Sequence, residues 1–137
     1  MAPNTRLYTV ALNAALDAVG ITALLAGGQI QIYTGAQPAV QGALTGTKLS
    51  TLTFGSPALG AASGGVATAN AITQDSSAAN TGTAGYFALT KSDGTTVVAT
   101  GSVGTSGANM NLATLSINAG DVVTCSSLTL TIPAQGA

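Results

Sequence analysis

The chain has 137 residues, of which 46% are hydrophobic and only 4% aromatic, enough for one domain with a core of Ala, Val, Leu and Ile. Charged residues make up 5% and are scattered as Arg6, Asp17, Lys48, Asp75, Lys91, Asp93 and Asp121, where ordinary soluble domains carry about 25%. Three dispersed cations cannot line a phosphate backbone or an anionic bilayer, so nucleic acid and membrane are excluded as partners, and the exterior falls to Thr, Ser, Asn, Gln and backbone.

Residues 1–26 read as an N-terminal helical segment and 27–137 as a β domain, together one globular unit. Leu7, Val10, Ala11, Ala14, Ala15 and Ala18 fall on one stripe of a 3.6-residue helix. Asn4 or Thr5 caps its start and Gly20 ends or bends it. The apolar run from Leu7 to Ala26 is broken by Asn13 and Asp17, which argues against a signal peptide and against a membrane span of about 20 apolar residues.

From Gly27 the period changes to that of a strand. Gln29 to Thr34 alternates strictly, with Ile30 and Ile32 toward the core, and a turn follows at Gly35 to Pro38. A second strand covers Lys48 to Phe54, with Leu52 and Phe54 on one face and Leu49 out of phase unless a bulge intervenes. Gly55 to Ala79 reads as a long connection rich in Gly, Ala and Ser, with Val66 to Ile72 its best strand candidate. Thr83 to Thr90 and Thr95 to Thr100 form a hairpin about Ser92-Asp93-Gly94, because Asp-Gly supplies the positive φ of a tight turn.

Gly101 to Gly107 is expected to be a loop. Asn111 to Ile117 and Asp121 to Cys125 flank a turn at Asn118-Ala119-Gly120, and Leu128, Leu130 and Ile132 alternate with threonines in a last strand closed by Pro133. Six to eight short strands separated by turns specify a mainly β fold. The expected architecture is an antiparallel β-sandwich or jelly roll preceded by one α-helix.

The chain has no histidine, tryptophan or glutamate, which removes the usual general base, most transition-metal ligands and paired glutamates. No catalytic, cofactor-binding or metal-binding residue is therefore assigned, and the chain reads as a non-enzyme without cofactors. Asp75, Asp93 and Asp121 sit beside turns, where aspartate accepts local backbone hydrogen bonds, and they are spaced too widely to show a calcium loop. Gly101 to Gly107 lacks the lysine of a phosphate-cradling loop. Tyr8, Tyr33 and Tyr86 are expected to pack with their hydroxyls on partners, and Cys125 reads as a small buried apolar residue.

Several words in this order resemble a group of small virion structural proteins of tailed bacteriophages, the capsid decoration or cement proteins. They are Ile30-Gln31-Ile32-Tyr33-Thr34-Gly35 with Gln37-Pro38, Leu52-Thr53-Phe54, Pro57-Ala58-Leu59-Gly60-Ala61-Ala62 and Gly65-Val66-Ala67-Thr68-Ala69. Gly82-Thr83-Ala84-Gly85-Tyr86-Phe87, Ser92-Asp93-Gly94-Thr95 and Val103-Gly104-Thr105-Ser106-Gly107-Ala108 continue the likeness over nearly the whole chain. The resemblance implies residence in the phage particle, at the capsid surface, after synthesis in the bacterial cytoplasm. It implies the major capsid protein or other virion proteins as partners, and copies of the chain itself.

A tail or head-to-tail connector component is the structural alternative and predicts rings. A virion-displayed receptor- or glycan-binding module is the alternative of another class, and would want aromatic and acidic residues on its loops, where Ala, Gly, Ser and Thr stand here. The helix and Gly55 to Ala79 are the expected intersubunit contacts, because their apolar content exceeds what a small sandwich needs. Exposed β edges on a nearly uncharged protein are an association hazard, so isolated material is expected to self-associate.

Overall fold

A computed structural model of the protein describes residues 6–7, 21–39, 41–60 and 66–131. In chain order these form β1 (Arg6–Leu7), α1 (Ile21–Leu25), β2 (Gln29–Tyr33), β3 (Lys48–Phe54), β4 (Val66–Thr68), β5 (Ile72–Thr73) and β6 (Gly82–Thr83). They continue through β7 (Tyr86–Thr90), β8 (Val97–Gly104), β9 (Met110–Leu112), β10 (Ser116–Ile117) and β11 (Cys125–Thr131). The fold is mainly β. One sheet runs in the order β4, β11, β9, β8, β7, β2, β3, β5, with β1 alongside β8, and β10 and β6 form a separate ladder.

The alternation read in β2 decides which side of the sheet is dry. Ile30 lies opposite Leu52 and Leu89, and Ile32 opposite Ser50 and Phe87. Both isoleucines are fully buried and join Leu52, Phe54, Phe87, Leu89, Met110 and Leu128 in one core. Leu49 belongs to that core through a register shift: Ile32 faces Ser50 and Tyr33 faces Lys48, so Leu49 is the extra residue of a β-bulge.

The sheet curls into a half-barrel. β4 and β5 stand at opposite ends of its order, yet only residues 69–71 separate them in the chain. Four Cα steps reach at most about 14 Å, so the two ends are drawn together. Residues 58–60 pair with 68–70 at that meeting point, Gly60 N–H donating to Thr68 C=O at 2.8 Å and Asn70 N–H to Ala58 C=O at 2.9 Å. The candidate strand from Val66 to Ile72 is thus two strands that leave a shared bend for different edges, and the expected long connection is stitched into both.

The central strands are buried on both faces. All five residues of β7 and Val98 to Gly104 of β8 are buried, and composition alone would have put the polar ones outside. On the side away from the core lie Gln31, Thr90, Thr100 and Ser102, each at most 2% exposed. The connection from residue 34 to 47 crosses this polar side. Gln37 Nε2 donates to Thr100 Oγ1 at 2.9 Å, and Tyr86 Oη donates to Thr45 C=O at 2.6 Å while accepting Thr45 N–H at 3.0 Å.

Several expectations are corrected. The loop expected at Gly101 to Gly107 is strand as far as Gly104. Glycine at 101 serves close packing and not a turn, because a Cβ there would lie 2.5 Å from Cζ of the Phe87 ring. The sheet is mixed, since β8 and β9 pair in parallel across residues 105–109. So short a crossover is held by Asn109, whose Oδ1 accepts the Ser102 hydroxyl at 3.2 Å while its own N–H donates to Ser102 Oγ at 3.2 Å.

The hairpin arm expected from Thr83 breaks after β6, where Ala84 N–H bonds Leu115 C=O and Gly85 N–H bonds Tyr33 C=O, both at 2.8 Å. Asn111 to Ile117 likewise divides between β9 and β10, and β11 begins at Cys125. Arg6–Leu7 is strand, pairing Thr100 and Ala99. The rest of the expected helix, residues 8–20, lies outside the described residues, and α1 follows it.

Gly101→Ala is expected to lower stability by about 1–3 kcal/mol through overpacking. In a Phe87→Leu background the same substitution should cost clearly less, because the two sites share one contact. Chemical denaturation of the four variants of this cycle reads both costs; equal costs in the two backgrounds would contradict the packing assigned to Gly101.

Candidate functional site

The groups capable of chemistry are placed apart. Asp93 sits in the β7–β8 turn, where Gly94 takes a φ of 75° and donates its N–H to Lys91 C=O at 3.0 Å. The turn is wider than two residues, and the Asp93 carboxylate fills it. Its Oδ1 accepts the N–H groups of Thr95 and Thr96, both at 2.9 Å, and its Oδ2 the Thr96 hydroxyl at 2.6 Å. The Thr96 hydroxyl, then the two N–H groups, hold the carboxyl down at a pKa of about 2.

Asp121 closes the turn at 118–120, where its Oδ2 accepts Asn118 N–H at 2.9 Å and Gly120 has a φ of 91°. Asp75 does more than its neighbours in sequence suggest. Its Oδ1 accepts Ser77 N–H at 3.0 Å, the local bond expected of it. Its Oδ2 reaches β3 and accepts the Ser50 hydroxyl at 2.7 Å and Thr51 N–H at 3.0 Å.

The backbone of Asp75 also exchanges two hydrogen bonds with Val123, at 3.0 and 2.8 Å. One residue therefore ties β3 to the segment around Val123. Burial pushes its carboxyl pKa up, but the bonds from Ser50, Thr51 and Ser77 outweigh that and hold it below the usual range.

The structure does bring Tyr33 and Tyr86 together. Their rings stack at 5.3 Å and 9°, and Tyr33 Oη donates to Gln31 Oε1 at 2.9 Å. Gln31 Nε2 in turn donates to Gln29 Oε1 at 3.0 Å and to Gly94 C=O at 2.9 Å, so a line of polar groups runs along β2 to the hairpin turn. Burial raises the pKa of both phenols, which leaves them protonated donors at neutral pH. Tyr8 and Asp17 lie outside the described residues.

Cys125 opens β11 half-buried, with its Sγ 3.2 Å from Ser127 C=O. Burial pushes the thiol up to about 11, so the nucleophilic thiolate is a small fraction at neutral pH. Among the described residues no three Asp or Cys side chains converge as a metal site would require. A cavity of about 60 Å³ lies between β9, β10 and residues 121–124. Small-molecule sites run from about 300 to 1,000 Å³.

What remains is surface. Among the described large apolar residues the exposed ones are Val66, at 36% on β4, and Val122, at 58% on the rim of that cavity. Val66 lies in the stretch expected to contact other subunits; Val122 was carried by no sequence signal, because a Val-Val-Thr-Cys run reads as buried strand. Lys48, Asp93 and Asp121 are the charges that stand exposed among the described residues. The other exposed positions among the described residues are mainly Ala, Gly, Ser, Thr and Asn, with Lys91 and Asp75 partly exposed.

Asp75→Asn is expected to lower stability at neutral pH by roughly 1.5–3 kcal/mol, the range for bonds to a charged group. Asp75 and Asp93 both have folded pKa values below their unfolded value of about 3.9. The stability they supply is complete above that pH and is lost as pH falls below it, for Asp93 through about 2. Denaturation midpoints should fall across this window, and the fall should flatten in the Asp75→Asn, Asp93→Asn double variant; an unchanged slope would contradict the assignment. Set against family models, curated proteins and solved structures, the chain finds no match in any of the three comparisons.

Proposed function

We propose that the chain is a non-enzymatic structural protein of a tailed-phage particle, a capsid decoration or cement protein that binds the capsid lattice and stabilises it. Its partners in this reading are the major capsid protein or other virion proteins, and further copies of itself. The observation that carries the reading is the nearly uncharged exterior of a chain with seven charges in 137 residues. A free monomer stays dispersed through interspersed charge. A surface of hydroxyls, amides and small apolar groups suits burial against other protein.

Two further observations support it. Each described aspartate spends its carboxylate on hydrogen bonds to the chain's own backbone. The resemblance to decoration proteins runs through the turn words that the fold uses, Ser92-Asp93-Gly94 among them. In the same reading the domain is a sandwich of the jelly-roll kind with one N-terminal helical segment. Mechanism here means binding: each copy contributes a standard interface of about 1,200–2,000 Å², and equivalent contacts add through multivalency.

Cryo-electron microscopy of the native particle tests this. Copies bridging capsomers on the outer shell are the expected result. Density confined to the tail or to portal-proximal rings would overturn the cement reading in favour of a connector, and absence from the particle would overturn both.

A further inference from the structure

Two of the exposed charges, Lys48 and Asp121, share one face of the molecule. Lys48 opens β3, and Asn80 Nδ2 donates to its C=O at 2.9 Å. In the next residue Thr81 Oγ1 accepts Ala119 N–H at 2.9 Å. Ala78 binds the same turn, its N–H donating to Asp121 C=O and its C=O accepting Gly120 N–H, both at 2.8 Å. These bonds lay residues 46–48, 79–81 and 118–122 side by side, and every residue of the three segments is exposed. Asp93 lies at the other end of β2, beyond Thr90, which pairs with Gln29, whereas Lys48 pairs with Tyr33.

The shared face carries charges of both signs and an apolar side chain. Among the described residues no ion pair engages Lys48, and the Asp121 carboxylate gives only Oδ2, to Asn118 N–H. Beside Asp121 stands Val122, 58% exposed, on the rim of the cavity that the buried Leu112, Ile117 and Val123 help to line. Such a face is complementary to a copy of itself. A twofold axis sets a cation opposite an anion, repeats that pair on the other side of the axis, and brings the two valine rims into one contact.

We propose that this face is a twofold self-contact: two copies dock through residues 46–48, 79–81 and 118–122, with Lys48 of each opposite Asp121 of the other and Val122 buried between them. The occupant is a second copy of this chain. The inference rests on the reading of the chain as an assembly protein and names the surface through which its copies meet.

Charge reversal followed by sedimentation equilibrium tests it. Lys48→Glu sets two like-charged pairs across the axis, and so does Asp121→Lys; each alone should weaken the dimer about tenfold or more. Mixed in equal amounts, the two variants bring opposite charges together at both pairs, so a heterodimer should form with close to the wild-type dissociation constant. Asp121→Lys also removes the bond to Asn118 N–H, and Lys48→Glu combined with Asp121→Asn stands in if it fails to fold. The asparagine keeps an oxygen for that N–H and removes the repulsion, so it should recover part of the affinity that Lys48→Glu loses. Val122→Ser should weaken the dimer and leave the denaturation midpoint of the single copy unchanged. A dimer that neither reversal weakens, or reversed variants that stay apart when mixed, would overturn this contact and leave the assembly reading standing. A wild-type monomer at every concentration would overturn both the contact and the expected self-association, whereas binding to the particle is read separately by the microscopy.

Discussion

Burial of the β7–β8 hairpin on both faces is the constraint on which the rest of the structure depends. A strand pair buried on both sides needs a partner layer on each, and the two layers here are chemically different. On one side Phe87, Leu89 and Val103 join an apolar core, which the curl of the sheet and the segments around Ala78, Ile117 and Val123 enclose. On the other, Gln31, Thr90, Thr100 and Ser102 are removed from water, and buried polar groups are tolerable only when bonded. No buried side-chain nitrogen or oxygen among the described residues lacks a hydrogen-bond partner.

The same constraint explains the odd features at the margins of the hairpin. Gly101 must be glycine-sized because the Phe87 ring occupies the space a Cβ would take. Asn109 lies fully buried because it closes a crossover too short for ordinary parallel strands. Asp75 ties β3 to the segment around Val123. With the few described carboxylates used for the chain's own bonds, the exterior is left mainly to Ala, Gly, Ser, Thr and Asn, and that surface is the basis for reading the protein as a component of an assembly.

Elements with a strong local signal were legible in the sequence. β2 and β3 announce themselves by alternation, the bulge at Leu49 by a break in that alternation, and the hairpin turn by Asp93-Gly94. Glycine misled at 101, because close packing and turning use the same residue. Val66 to Ile72 looked continuous because nothing local marks which distant edge a residue pairs with. The polar layer was hidden for a related reason: Gln and Thr on alternate strand positions look like a solvated face until the connection from residue 34 to 47 is laid across them. Among the candidate groups, the turn-side bonds of Asp75, Asp93 and Asp121 were foreseeable from their positions, whereas the reach of Asp75 to Ser50 depends on tertiary placement.

Native-state hydrogen exchange followed amide by amide tests the central claim most directly. If the doubly buried hairpin holds the fold, the amides of β7 and of residues 98–104 exchange only through global unfolding, with protection above that of β4, β5 and the β10–β6 ladder. Protection of β7 and β8 no greater than that of those outer strands would contradict the account.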